Sequence, residues 1–348
     1  MKMNKILKDT VLKFWAQLFG AILLVALIAP STIMCQQPPV NLGSTARFAI
    51  LAGSLITNNP TSEVTGDVGL SPAAGTNISG FGLSEVVGTI YTVDATGPAG
   101  SVEDASMLTT AQGDLTIAYN DAAERTPVPA GEFLNPGFGN LGNQILVPGL
   151  YKFTGTAEIT AGNLTFDAQN DSNAVFIMMV ATGLNTASGT EVILINKARA
   201  ENIFWQVGTS AALGTYSIFK GTIMADQSVT MGTGASIEGR LLASIAAVTI
   251  DACTITLPAS EIEVPANVVT SISGSDIVID WDVSAGATSY DVYSSDDPYG
   301  IFAYVTSVPT NQYEVAYTAA KKFYYIVATD VIMTAPKTIK VTKSIRLN

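Results

Sequence analysis

The chain has 348 residues, 48% of them hydrophobic and 13% charged. That suits two domains with cores of their own and excludes a largely disordered chain. The net charge of −12 lacks the basic footprint that nucleic-acid binding needs. With no histidine and only two cysteines, Cys35 and Cys253, it cannot build Ser-His-Asp or Cys-His pairs, a disulfide framework or a four-cysteine metal site.

Residues 1–35 read as an export signal. Lys2, Lys5, Lys8 and Lys13 precede an apolar run from Phe14 to Ile28, followed by Pro30 and Ser31. A retained membrane anchor is the alternative, against which stands an apolar run shorter than the ~20 residues a span requires. Thr32-Ile33-Met34-Cys35 departs from a lipobox at Met34, where a small residue is expected, so a lipid anchor at Cys35 is a minority reading. Either route places the mature protein outside the cytoplasm, secreted or at the cell surface. Residues 36–44 form a short linker.

From residue 45 to 260 the sequence is rich in Gly, Thr, Ser, Ala and β-branched residues with closely spaced turn signals, a pattern of many short strands. One stretch breaks it. Residues 101–125 lack proline and place Ala105, Leu108, Ala111, Leu115, Ala118, Tyr119 and Ala122 at helical spacing. Glu103 and Asp104 are expected in the first turn of this helix, where the helix dipole favours them.

Beyond the helix the sequence repeats. Ser-Ala-Ala-Leu-Gly-Thr (210–215) is echoed by Ser-Val-Thr-Met-Gly-Thr (228–233), Gly221 by Gly239 and Ala225 by Ala243, while Val229-Thr230-Met231 recurs as Val248-Thr249-Ile250. A period near 18 suits one coil of a β-solenoid, about three strands stacked ~4.8 Å from the next coil. β-Propeller blades need roughly 40 residues. Phe176, Phe204, Ile223 and Leu241 are expected to point inward as a continuous core.

After residue 265 the character changes. Residues 266–348 carry Ile277, Ile279 and Trp281 in alternation, then Tyr290, Tyr293, a turn at Asp297-Pro298-Tyr299-Gly300 and an apolar run from Phe323 to Ala328. This predicts a β-sandwich. Its aromatics read as core, with carbohydrate stacking by Tyr299 or Tyr304 as the functional alternative.

Charged residues do not converge. Asp167, Asp171, Glu191, Lys197, Arg199 and Glu201 show no spacing that singles out the carboxyl pair a glycosidase needs. Asp67, Asp114, Asp167 and Asp171 match no calcium-loop motif, and nothing calls for a cofactor or metal. Threonine is what recurs: Thr160, Thr186, Thr230 and Thr249 open successive coils, with Ala212 in the same place and Thr215 and Thr233 three residues after that column. Thr is a good strand residue in any case. Stacked at strand spacing, however, it makes a grid of methyl and hydroxyl groups that can hold ordered water.

Several segments carry a family resemblance: Phe48–Ser54, Thr65–Pro72, Asp114–Ala123, Val147–Tyr151, Asp167–Ile177, Ile203–Gly208 and Gly221–Ala225. In order, across roughly residues 42–260, they resemble the ice-binding-like antifreeze protein family. The resemblance implies a discontinuous right-handed β-helix with one long helix alongside, early strands stacked beside late ones. It also implies binding to an ice crystal surface through a flat, cofactor-free face. Some members carry Thr-Ala/Gly-x-Thr/Asn loops there. Thr160–Asn163 and Thr182–Asn185 fit that pattern, Thr230–Thr233 departs at its second position and Thr249 lies in a looser version. The candidate face is therefore Thr160, Asn163, Thr182, Asn185, Thr186, Thr230, Thr233 and Thr249. The last domain resembles a fibronectin type III module. An adhesin that uses the β-helix to bind a polysaccharide or protein partner is the competing function, a β-helix enzyme the third, and the oligomeric state is left open.

Overall fold

The computed structural model describes residues 37–258 apart from 83, residues 265–329 apart from 285, 286, 288 and 318–321, and the backbone of Thr338–Lys340. Residues 1–35, read above as an export signal, and with them Cys35, lie outside the described residues. Within these, no helix is long and apolar enough to cross a membrane. The chain divides into two compact units, Met1–Pro258 and Ala259–Asn348.

In the first unit the chain passes repeatedly along three walls, adding one parallel strand to each per turn. The first wall carries, in spatial order, Gly149–Phe153, Phe176–Val180, Ile203–Val207, the later halves of Ile218–Ala225 and Ser236–Ala243, then Phe48–Ala52, Asp67–Leu70, Ile90–Thr92 and Val102–Glu103. The second carries Ala157–Ile159, Leu184–Thr186, Ala211–Leu213, Val229–Met231, Ala247–Asp251, Leu55–Asn59 and Ile78–Ser79. The third begins with Ile145–Leu146, Leu164–Asp167 and Val192–Ile195 and continues through the leading halves of the two long strands to Thr254–Thr256, Glu63–Thr65 and Val86–Val87. The early strands therefore follow the latest ones: Ile50 lies opposite Leu241, Thr57 opposite Thr249 and Val64 opposite Ile255.

The 18-residue period holds for the later turns, where Ala212 faces Thr230 and Gly221 faces Gly239. Earlier turns are longer, with Gly149 opposite Phe176 and Asn185 opposite Ala212, because loops 168–175 and 196–202 separate the third wall from the first. In the later turns one continuous strand rounds that corner through Gly221 at φ +103°. A Cβ on Gly239 would come 1.9 Å from the Gly221 carbonyl oxygen, so the corner stacks this closely only as glycine on glycine.

Alternating residues of all three walls close one apolar core that includes Phe176, Ile223 and Leu241. Trp205 is fully buried there, its ring 6.0 Å from Phe166 and 5.2 Å from Phe219, and its Nε1 donates to the Lys220 carbonyl at 3.2 Å. Phe204 departs from expectation. Adjacent strand residues point to opposite faces, so with Trp205 inward Phe204 points outward, where it joins Phe48, Leu51, Ile177, Met179, Met224 and Leu242 beneath the helix.

That helix runs Ala105–Ala123 and buries Leu108, Ala111, Leu115, Ala118 and Ala122 over the outside of the first wall; of the other two residues expected in the stripe, Tyr119 is half-buried and Ala105, in the first turn, is exposed. It starts later than the sequence suggests. Asp104 is its N-cap, accepting from the Met107 amide at 2.9 Å, while Glu103 ends the strand before it. Asp104→Ala is expected to cost about 1 kcal/mol, checked by thermal unfolding. At the other helix end, Arg125 donates to the carbonyls of Pro38 and Pro39, and Gln37 to that of Thr126, which fixes the linker against the first unit.

The second unit has two antiparallel sheets. One orders Val269–Ser273, Asp276–Asp280 and Gln312–Ala316; the other orders Phe323–Thr329, Ser289–Ser295, Ile301–Val308 and Thr338–Lys340. Ile279, Trp281, Tyr290, Val292 and Ile326 form the core between them. Tyr293 is buried, while Tyr299 is 67% exposed in its turn.

Candidate functional site

The three walls of the first unit present different outer surfaces. The first is covered by the helix. The third is charged: Lys220 and Glu238 pair at 2.8 Å, and its outward residues also include Glu63 and the exposed apolar Ile145 and Val87. The second is open and almost uncharged.

On this open wall Ala157, Leu184, Ala211, Val229 and Val248 point inward and the next residue points out, exposed on the first four strands and half-buried at Thr249. Parallel registry aligns the outward residues in one row: Glu158, Asn185, Ala212, Thr230, Thr249, Thr57 and Ser79. Neighbours in such a row stand ~4.8 Å apart. A second row lies three residues earlier, where the chain rounds the corner. There the backbone links Thr182 to Thr209 and Thr209 to Gln227, each at 2.9 Å, and Ala246 to Ser54 at 3.1 Å. Thr182 is exposed, its hydroxyl 3.0 Å from that of Thr156. Glu158, on the first strand, is the one charge in the two rows. Tight packing of the inward side chains holds the backbone beneath them rigid.

The expected residues divide between this wall and its surroundings. Asn185, Thr230 and Thr249 lie in the central row and Thr182 in the corner row. Thr186 does not belong with them. It points inward, 9% exposed, and its hydroxyl accepts from the Gly214 amide at 2.9 Å. Thr160 sits two residues beyond Glu158, at the wall's far edge, taking a hydrogen bond from Asn140 at 2.7 Å. Asn163 is around the far corner, where its side-chain oxygen accepts from the Glu191 amide at 2.9 Å. Thr233 is exposed at that same corner and donates to the Asp251 carboxylate. Sequence reasoning missed Thr209, Ser54, Thr57 and Ser79. The last three come from the first part of the chain, outside the repeat. Their signal was the Ile56-Thr57 pair, which copies Val229-Thr230 and Val248-Thr249.

Nothing on the wall suggests bond-making chemistry. Among the described residues no group of three Cys, Asp or Glu side chains could hold a metal. Cys253 is 1% exposed, and burial pushes its thiol up, away from the reactive thiolate. What the wall offers is a registered row of mostly short side chains carrying methyl and hydroxyl groups.

Comparison with known proteins finds relatives of the first unit. The family model described as "Ice-binding-like" matches residues 50–256. An ice-binding protein of Flavobacterium frigoris is 45% identical over 219 residues, spanning 63% of this chain and 76% of that protein. One from a Colwellia species is 39% identical over 243 residues, 69% of this chain and 93% of its own length. Among solved structures, an ice-binding protein from an Antarctic biological consortium aligns with a TM-score of 0.56 and 40% identity, over 64% of this chain and 93% of its own. A glycosylated ice-binding protein from an Arctic yeast aligns at 0.58 with 35% identity, over 68% of this chain and all of its own.

Proposed function

Since this chain belongs to the ice-binding-like family, we propose that it binds ice through the open wall, with Thr182, Asn185, Thr209, Thr230, Thr249, Ser54, Thr57 and Ser79 as the contact residues. The observation that carries the reading is the unbroken column Thr230–Thr249–Thr57, in a row whose one charge, Glu158, stands on the outermost strand. Each Thr hydroxyl both donates and accepts, so it can take the place of a lattice water, while its methyl fills the gap beside it. A rigid array loses little conformational freedom on docking, which matters where each contact is weak. A charged side chain would instead hold its own hydration shell against the lattice.

The test is thermal hysteresis and ice recrystallisation inhibition on the purified protein. Crystal shaping with a freezing gap is the expected result. A folded protein with neither effect at high concentration overturns the assignment. No aromatic side chain stands in either row, so nothing on this wall favours stacking a polysaccharide, and the function carried over is binding rather than turnover.

The three-walled path is our basis for assigning a discontinuous right-handed β-helix, and the paired antiparallel sheets after residue 265 for assigning a fibronectin type III-like module. We assign this module a spacer or tethering role in a secreted or surface-held protein. Removal of residues 266–348 is accordingly expected to leave recrystallisation inhibition per mole unchanged. A large loss would mean that the second unit contributes to ice contact.

A further inference from the structure

The ice face proposed above is assembled from two pieces of chain that no short connection joins. Five of its strands belong to consecutive turns between residues 157 and 251. The remaining two, Leu55–Asn59 and Ile78–Ser79, come from the first part of the chain. Between consecutive turns, the length of each coil helps to set the register. At the joint between Ala247–Asp251 and Leu55–Asn59, the paired residues stand 192 apart in sequence and no such restraint exists.

Inward and outward alternation alone does not fix this joint. A slip by one residue would turn Thr57 into the core and is forbidden by burial, but a slip by two would keep every apolar side chain inside. It would also move Thr57 away from Thr249 and break the column. Something at the joint has to discriminate against that slip.

Asp251 is placed to do so. One carboxylate oxygen accepts from Asn59 Nδ2 at 2.7 Å, across the joint, and the other accepts from the hydroxyl of Thr233, on the preceding turn. The carboxylate thus ties three successive layers in one registry, just past the end of the Thr column. Backbone contacts beside it follow the same registry: the Ala252 amide donates to the Asn59 carbonyl at 2.9 Å and the Cys253 amide to the Ser62 hydroxyl at 3.0 Å. Under the wall, Ser62 bonds Asn58 at 2.7 Å, and Glu85 accepts from Asn58 at 3.1 Å and from the Ser62 amide at 2.7 Å. Those inner groups hold the joint closed. On the outer face of the open wall Asp251 links it to the turn before; elsewhere Arg240 donates to the Ala46 carbonyl at 2.9 Å and the Thr222 hydroxyl at 3.3 Å, and the Cys253 thiol to the Gly232 carbonyl at 3.4 Å.

We infer that Asp251 is a positioning residue for ice binding, one that sets the register between the two pieces of the face through its pair of hydrogen bonds rather than through its charge. The inference rests on the assignment of the open wall as the ice face. In the full chain, Asp251→Ala is expected to raise the concentration needed for recrystallisation inhibition several-fold, with a thermal midpoint near that of the parent. Asp251→Asn keeps one acceptor for Thr233 and can donate to a turned Asn59 amide, so it is expected to restore the parent potency. A merely electrostatic role would make Asn as damaging as Ala, and that result would overturn the inference. So would full potency in Asp251→Ala. Should Asp251→Ala prove too unstable to assay, Asn59→Ala removes the same cross-joint bond from the other side, and full potency there is equally fatal. The parent protein is measured in parallel: inactivity of the parent refutes the ice-face assignment itself, whereas an active parent with an equally active Ala variant refutes only the role of Asp251.

Discussion

Thr57→Tyr is expected to abolish thermal hysteresis while shifting the unfolding free energy by no more than about 0.5 kcal/mol, as substitutions of outward-pointing surface residues usually do. Thr57 stands between Thr249 and Ser79 in the central row, with its side chain pointing away from the core. A phenol ring there rises above neighbours that end at a hydroxyl or a methyl, and it holds the remaining rows away from a planar lattice. The site is informative because it lies far in sequence from Thr230, yet the two sit in one column with only Thr249 between them. Thr230→Tyr is therefore expected to have the same effect. Thr256→Tyr, at an exposed position on the third wall, serves as the matched control and should leave activity intact. Loss of activity in all three, or in neither of the first two, would remove the open wall as the contact surface. Hysteresis and thermal melts on the same preparations separate the cases.

Trp205→Ala is expected to be the most damaging change to stability, at about 3–5 kcal/mol. Its ring is fully buried between Phe166 and Phe219, which belong to the third wall, while Trp205 itself comes from the first. Truncation leaves a cavity where two walls meet, and it also strips the Lys220 carbonyl of the indole donor. Calorimetry should show the transition of the first unit moving to lower temperature. Whatever ice activity survives below that transition should be of parental strength per folded molecule, because no residue of the open wall has been altered. A normal midpoint would contradict the packing described here.

The sequence made the helix stripe and the repeated turns legible because both depend on apolar spacing alone. Leu108, Ala111, Leu115, Ala118 and Ala122 are buried as their spacing predicts. Gly221 with Gly239 and Ala225 with Ala243 fall opposite each other as their echo predicts. The face was less legible for a geometric reason. In a strand the next residue points the other way, so an alignment that is one place out exchanges surface for core: Thr186 is buried and Asn185, its neighbour, is exposed. Thr160 and Asn163 satisfy a spacing pattern, but the chain has rounded a corner by the time it reaches Asn163. The contribution of Ser54, Thr57 and Ser79 depends on pairing across most of the domain. No local pattern encodes that partnership.

The order of strands on the walls also bears on how the molecule is made. Phe48–Ala52 and Leu55–Asn59 are among the first strands to be synthesised, but they pair with Ser236–Ala243 and Ala247–Asp251, among the last of the domain. Each has an early partner on one side, Asp67–Leu70 and Ile78–Ser79, but the other edge stays unpaired until translation has passed residue 251. Contacts so distant in sequence make for slow folding, since the closure entropy of the long loop must be met before the pairing is gained. A nascent chain halted at residue 240 would lack the seat for its own first strands and expose sticky edges instead. Domain completion is therefore a late event, waiting on the last strands of the domain to seat the first.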